Sequence, residues 1–209
     1  MRRILLLVHR VPVQGEFTLN DLAGGGGRMD EVARAVSTGF TLSNDLRRDT
    51  EMTLLFAGAG PHAARRIRID GARLRYLNPD ERSTAALLKN ALVRSLTLDH
   101  DIESSPGIAV GPIDPAAELE RVLRLPGAIW LTESGTPFRS YEPAESEIVA
   151  VLSDPLDPTA QEQEILENSG VPRLSVGPKA LRTSQVVDIL HNECDLRLAR
   201  KSSNEPVTS

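Results

Sequence analysis

Ser175-Val176-Gly177-Pro178-Lys179-Ala180-Leu181, followed by a helical run closing in His191-Asn192-Glu193-Cys194-Asp195, is the stretch that decides the fold. A short apolar strand, Pro172 to Val176, runs into a Gly-Pro turn, and the turn opens onto a helix through Thr183 and Ser184. In open α/β sheets, ligands sit at such C-terminal strand ends. Gly177 allows close backbone approach and Pro178 stiffens the loop. Alone, the stretch reads as a ligand loop ahead of a last helix.

Outward from it, strand and helix patterns alternate. Arg3 to Val8 is a buried strand by composition, as are Thr50 to Ala57, 127–131 and Glu147 to Leu152. Arg66 to Asp70 alternates charged and apolar residues and reads as an edge strand, and Ile108 to Val110 as a short strand after the Ser105-Pro106-Gly107 turn. Gly58 to Ala64 reads as a turn. Met29, Val32, Ala33, Val36 and Phe40 recur at helical spacing and predict a helix from Met29. Asn78-Pro79-Asp80-Glu81 reads as a helix start, with Asn78 as cap, Pro79 at the first position and Glu81 completing a capping-box-like pattern. Further helices are expected over 116–125, 159–168 and 184 to about 198, with 201–209 a disordered tail. This alternation implies βαβ units and a mostly parallel sheet flanked by helices. No linker interrupts 1–200, which reads as one domain.

Composition bounds the function. A single cysteine excludes an internal disulfide and a cysteine-based zinc site. The four histidines, His9, His62, His100 and His191, are scattered without metal-ligand spacing, so no metal is expected. No apolar run approaches the roughly 20 residues of a membrane span, and a reducing, cytoplasmic home fits. Only 3% of residues are aromatic, so ring stacking is not the main way the chain would hold bases. The net charge of −5 argues against a broad non-specific nucleic-acid surface but leaves room for local basic clusters such as Arg47-Arg48 and Arg65-Arg66-Ile67-Arg68.

The glycine run Gly24 to Gly27 with Arg28 lacks the Gly-Lys-Ser/Thr of a phosphate-binding loop. It precedes a helix, so it reads either as an anion site at the helix N-terminus or as a flexible loop with Asp30 favourably placed and paired to Arg34. Arg82 is left without a structural explanation. Cys194 follows Val186, Val187 and Leu190 at helical spacing and reads as a buried thiol, and His191 with Asp195 as a local polar contact.

Five blocks in order carry a resemblance: Gly27-Arg28-Met29-Asp30; Leu42-Ser43-Asn44-Asp45-Leu46-Arg47-Arg48-Asp49; Asn78-Pro79-Asp80-Glu81-Arg82-Ser83; Ser105-Pro106-Gly107-Ile108; and Ser175-Val176-Gly177-Pro178 with His191-Asn192. Over about 1–200 the chain resembles the archaeal tRNA pseudouridine-54 N1-methyltransferases (the TrmY family), of the SPOUT class of S-adenosylmethionine-dependent RNA methyltransferases. The resemblance implies a SPOUT-type α/β fold with a C-terminal trefoil knot, a homodimer, tRNA as partner and S-adenosylmethionine as cofactor. It places the cofactor against Leu131, Ser153, the loop Leu174, Ser175, Val176, Gly177, Pro178 and Lys179, and Val186. It makes Asp30 the group that accepts the N1 proton or orients the base, and Arg28 the group that stabilises charge on the uracil carbonyls. Arg28, Arg47, Arg48 and Arg82 would hold RNA. Two positions depart from the family: Ser153 stands where a glycine is usual, and Val186 where a cysteine is common. Another RNA pseudouridine, such as a ribosomal one, is the alternative target, and a non-catalytic nucleotide- or RNA-binding protein is the rival class.

Overall fold

Every side chain from Ile4 to Val8 is buried, which is what a central strand covered on both faces requires. The alternation within it sorts the layers. Ile4, Leu6 and Val8 belong to one apolar cluster, Leu5 and Leu7 to another on the opposite face. The computed structural model describes residues 1–57, 64–143 and 147–204, the last three without their side chains. Of the expected turn from Gly58 to Ala64, all but its last residue lies outside the described residues.

The described strands are β1 (Arg2–Val8), β2 (Thr50–Phe56), β3 (Arg65–Asp70), β4 (Ile102–Ser105), β5 (Ile108–Pro112), β6 (Ala128–Pro137), β7 (Ile148–Ser153) and β8 (Arg173–Ser175). They form one sheet in the order β4-β5-β3-β2-β1-β7-β6-β8. Pairing is parallel from β2 through β1, β7 and β6 to β8, and antiparallel from β2 through β3 and β5 to β4. The helices are α1 (Met29–Phe40), α2 (Glu81–Ser95), α3 (Pro115–Leu123), α4 (Ala160–Asn168) and α5 (Thr183–Asn204). Apolar residues of α1, α2 and α5 pack on one face of the sheet, those of α3 and α4 on the other.

Three expectations are corrected and one strand, β4, is added. β3 is an interior strand between β2 and β5. Its alternation marks one apolar face (Ile67, Ile69) and one charged face, on which Arg66 meets Asp101 and Glu118; it says nothing of edge position. β4, an edge strand, left too short an apolar signal to be read. α2 starts two residues late: Asp80 is the cap, its carboxylate accepting from the Ser83 N–H at 2.8 Å, while Glu81 pairs with Arg34. α5 runs to Asn204, so the expected disordered tail begins in helix; 205–209 lie outside the described residues.

β6 continues past Leu131 through a register break. Leu131 and Thr136 both pair with Leu174 of β8. The crossing is close enough that a Cβ at Gly135 would lie 2.4 Å from the Leu174 backbone.

Candidate active site

β6, β7 and β8 run parallel, so the segments leaving Leu131, Ser153 and Ser175 emerge on one side of the sheet. Together with the N-terminus of α1 and the first turn of α5 they enclose a cleft of about 560 Å³. That is an ordinary size for a small-molecule site. Of the expected cofactor residues, Leu131, Ser153, Ser175, Val176, Gly177, Lys179 and Val186 line it. Leu174 does not; it is buried beneath, in the core. Pro178 is exposed and turns away from the lining.

Hydrogen bonds shape the walls. The Ser175 hydroxyl donates to the Gly177 carbonyl at 2.6 Å, the Gly177 N–H returns to that hydroxyl at 3.2 Å, and the Thr183 hydroxyl donates to the Ser153 carbonyl at 3.1 Å. Ser153, one of the two positions expected to depart from the family, turns its hydroxyl onto the Leu156 carbonyl at 2.5 Å. The extra side chain is thus spent on its own loop.

Behind the 153–158 wall sits a cluster not read from the sequence. His9, just past β1, bonds Asp154 through Nδ1 at 2.9 Å and Glu162 through Nε2 at 2.8 Å. Its backbone N–H also donates to Asp154, and Glu162 closes the capping box of α4 with Thr159. Burial opposes the charged imidazole, but the two carboxylates outweigh it and lift its pKa from 6.5 to about 9. Because the folded-state value lies above the unfolded one, this clasp stabilises fully below about pH 6.5 and is lost as pH rises through about 9. A shift of this size corresponds to roughly 3 kcal/mol. His9→Gln is therefore expected to melt several degrees below wild type near neutrality, and melting curves taken across the alkaline range should bring the two together. A constant gap would refute a charged His9.

Arg28 enters the cleft from the start of α1, in the left-handed region at φ 71°. Its guanidinium grips Asp30 with two bonds, 3.0 and 3.2 Å, and reaches Glu31 at 2.9 Å. Burial opposes the charge on Asp30, yet Arg28 and Arg34 hold its carboxyl below the usual range. Asp30 lies behind Arg28 and does not line the cleft; Glu31 does. The glycine run is no open anion site at its start. The Asp21 carboxylate takes the Gly24 and Gly25 N–H groups at 2.9 and 2.7 Å, so an internal anion already fills that role.

The other expected RNA contacts lie elsewhere. Arg47 and Arg48 precede β2, at the end of the parallel strands opposite the cleft. Arg47 pairs with Asp195 at 2.8 Å, and Arg48 donates to the Gly71 and Leu74 carbonyls. Arg82 is exposed on α2 and bonds the Asn20 side chain at 2.6 Å. Asp195 does not pair with His191: Arg2 bonds both, and burial pushes the His191 pKa down to about 4.

A family model of the SAM-dependent RNA methyltransferase type matches residues 1–199. The chain belongs to this family. The methyltransferase is 38% identical over 199 residues to the tRNA (pseudouridine(54)-N(1))-methyltransferase of Methanosarcina acetivorans, covering 93% of this chain and 91% of that one. It is 36% identical to the proteins of the same name from Methanocella arvoryzae and Haloferax volcanii, covering 94% and 93% of this chain and 100% and 96% of theirs. Its fold is similar to that of Archaeoglobus fulgidus Nep1, solved bound to S-adenosylhomocysteine, with a TM-score of 0.62 at 12% identity over 94% of this chain and 98% of that one. Among the described residues no helix is long and apolar enough to cross a membrane, and no group of three metal-ligating side chains occurs.

Cys194 of the methyltransferase packs with Val187 and Leu190 in the core, where burial pushes its thiol pKa up, and it does not line the cleft. Cys194→Ala should keep methyl transfer within about twofold and cost roughly 1–2 kcal/mol of stability. Near-complete loss of transfer in the folded variant, assayed with labelled methyl donor, would give the thiol a chemical role.

Proposed function

We propose that this chain transfers a methyl group from S-adenosylmethionine to N1 of pseudouridine at position 54 in the T loop of tRNA, in the cytoplasm. The observation that carries the reading is the near-full-length likeness to methyltransferases named for that reaction, at 38% identity in the first of them. The cleft supports it. Segments of three parallel strands, β6, β7 and β8, and the loops after β7 and β8 line one pocket, the kind of place at which α/β sheets take a nucleotide-like ligand.

Leu131, Ser153, Ser175, Val176, Gly177, Lys179 and Val186 would hold the cofactor, which supplies a methyl group activated by its sulfonium. The chain's own part is alignment and charge. Arg28, fixed by Asp30, offers its guanidinium to the carbonyls of the splayed base, where negative charge grows as N1 loses its proton. Asp30 sets the angle of that fork. Arg82, and Arg47 and Arg48 at the far end of the sheet, would bind phosphates and fix register.

We read residues 1–200 as one catalytic unit and the segment from β6 to α5 as a trefoil knot. The double pairing of Leu174 with both halves of β6 supports this, since β8 must then pass close under the β6 crossing. A homodimer is supported by a groove at the N-terminal end of β1, where Met1 and, from α5, Leu196 and Leu198 stand exposed beside Arg200 and Lys201. Light scattering should give twice the 22.7 kDa chain mass.

The deciding experiment supplies labelled methyl donor with tRNA carrying pseudouridine or uridine at position 54. Label should enter only the former, on N1. A protein that binds S-adenosylhomocysteine yet labels neither tRNA would sink the reading.

A further inference from the structure

Glu31 is the one acidic side chain at the cleft held by α1, and its two oxygens are used unequally. Oε1 accepts from Arg28 at 2.9 Å and Arg34 at 2.8 Å, with Arg182 at 3.9 Å. Oε2 is buried and, among the described residues, has no hydrogen-bond partner. The side chain is 4% exposed. A buried carboxylate oxygen without a donor is costly, and because Glu31 is a residue of the cleft lining, a donor that arrives with the ligand can satisfy it. Asp30 offers the contrast: both its oxygens are taken by the Arg28 fork, and it does not line the cleft.

Resting on the function proposed above, we infer that Glu31, rather than Asp30, accepts the N1 proton of the target pseudouridine. The two nucleosides differ where this oxygen would act. Pseudouridine carries N1–H on the edge where uridine has only C5–H, so an acceptor there both recognises the substrate and takes its proton. The N1–H bond breaks and the proton passes to the Glu31 carboxylate. The electron pair left on N1 forms the bond to the incoming methyl carbon, while the sulfur keeps the pair of the broken carbon–sulfur bond. The proton leaves to water when the product departs. Rotation about the last bond of Glu31 interchanges its oxygens, so whichever is released from the arginines can face the base.

The test uses the full chain. Glu31→Gln keeps the size and one acceptor oxygen but takes no proton. Its kcat is expected to fall at least about 100-fold, the usual share of a positioned base. Affinity for S-adenosylhomocysteine, by calorimetry, should stay within about threefold. Wild type should bind a T-arm RNA with pseudouridine about tenfold more tightly than the same RNA with uridine, a charge-assisted hydrogen bond's worth, and the variant should lose most of that difference in affinity. Glu31→Asp keeps the charge for the arginines but withdraws the oxygens by one carbon; it should fold and still lose most turnover. Turnover within threefold of wild type in either folded variant overturns the assignment. So does a loss of S-adenosylhomocysteine affinity equal to the loss of turnover, which would give the carboxylate to the cofactor, or failure of both variants to fold, which would make it a structural counter-ion. Wild type inactive on pseudouridine-54 tRNA is a different result and strikes the proposed function itself.

Discussion

Arg28→Gly is expected to reduce methyl transfer by about 100- to 1,000-fold, the range for removing one donor from developing oxyanion charge, while leaving the melting temperature nearly unchanged. The stability half of this expectation comes from the backbone. Arg28 sits at φ 71°, a conformation that costs a non-glycine residue on the order of 1 kcal/mol and glycine nothing. Glycine forfeits a comparable amount through the freedom it gives the unfolded chain. The lost ion pairs to Asp30 and Glu31 involve a side chain 36% exposed and contribute little, and Glu31 retains Arg34. The catalytic half comes from position. The guanidinium lies in the cleft wall and is aimed by two bonds from Asp30. Arg28→Lys sharpens the test: it keeps the charge but cannot form the two-pronged grip, so its turnover should fall between wild type and the glycine variant. Equal turnover in wild type and Arg28→Gly, measured with saturating tRNA and cofactor, would place the charge-stabilising group elsewhere.

The strained Arg28 also shows where sequence reading reaches its limit. The apolar face of α1 and the continuous burial of β1 were legible because periodicity records which faces meet a core. Leu131, Ser153 and Ser175, which the family resemblance implied, do gather at one cleft, but the continuation of β6 to Pro137 was not legible, because Thr132 to Gly135 carry no apolar alternation. Pairings across long separations leave no such trace. His9 is 145 residues from Asp154 and 153 from Glu162, and nothing local marks it. The pairing of Arg47 with Asp195, 148 residues away, is equally invisible locally. In the sequence, Glu31 has a sufficient local explanation as an acidic residue in a first helical turn, favoured by the helix dipole; its orphaned oxygen and its place in the cleft distinguish it only in the structure. The start of α2 slipped by two residues because Asn78 and Asp80 are equally good caps by type, and the choice falls to the carboxylate that reaches the Ser83 N–H.

Gly177→Val is expected to fold as wild type does and to bind S-adenosylhomocysteine about 10- to 100-fold more weakly. Glycine at this position is not demanded by the backbone: its φ is not in the left-handed region that glycine alone tolerates. Nor is it demanded by packing, since a Cβ there would meet only the Leu181 Cδ1 atom at 4.0 Å. In this it differs from Gly27, where φ is 59° and a Cβ would lie 2.1 Å from the Arg10 carbonyl oxygen, and from Gly135 under the β6 crossing. Substitution at either of those attacks the fold. Gly177 instead lines the cleft, between a Ser175 hydroxyl that holds its N–H and carbonyl and the exposed Pro178. A valine side chain there takes room that the ligand would use, and overpacking of a close contact costs about 1–3 kcal/mol, or roughly one to two powers of ten in affinity. Thermal melting without ligand checks the first half and calorimetric titration the second. Unchanged affinity in a folded Gly177→Val would mean that the cofactor does not approach this loop, and the cleft beside β6, β7 and β8 would have to serve another ligand.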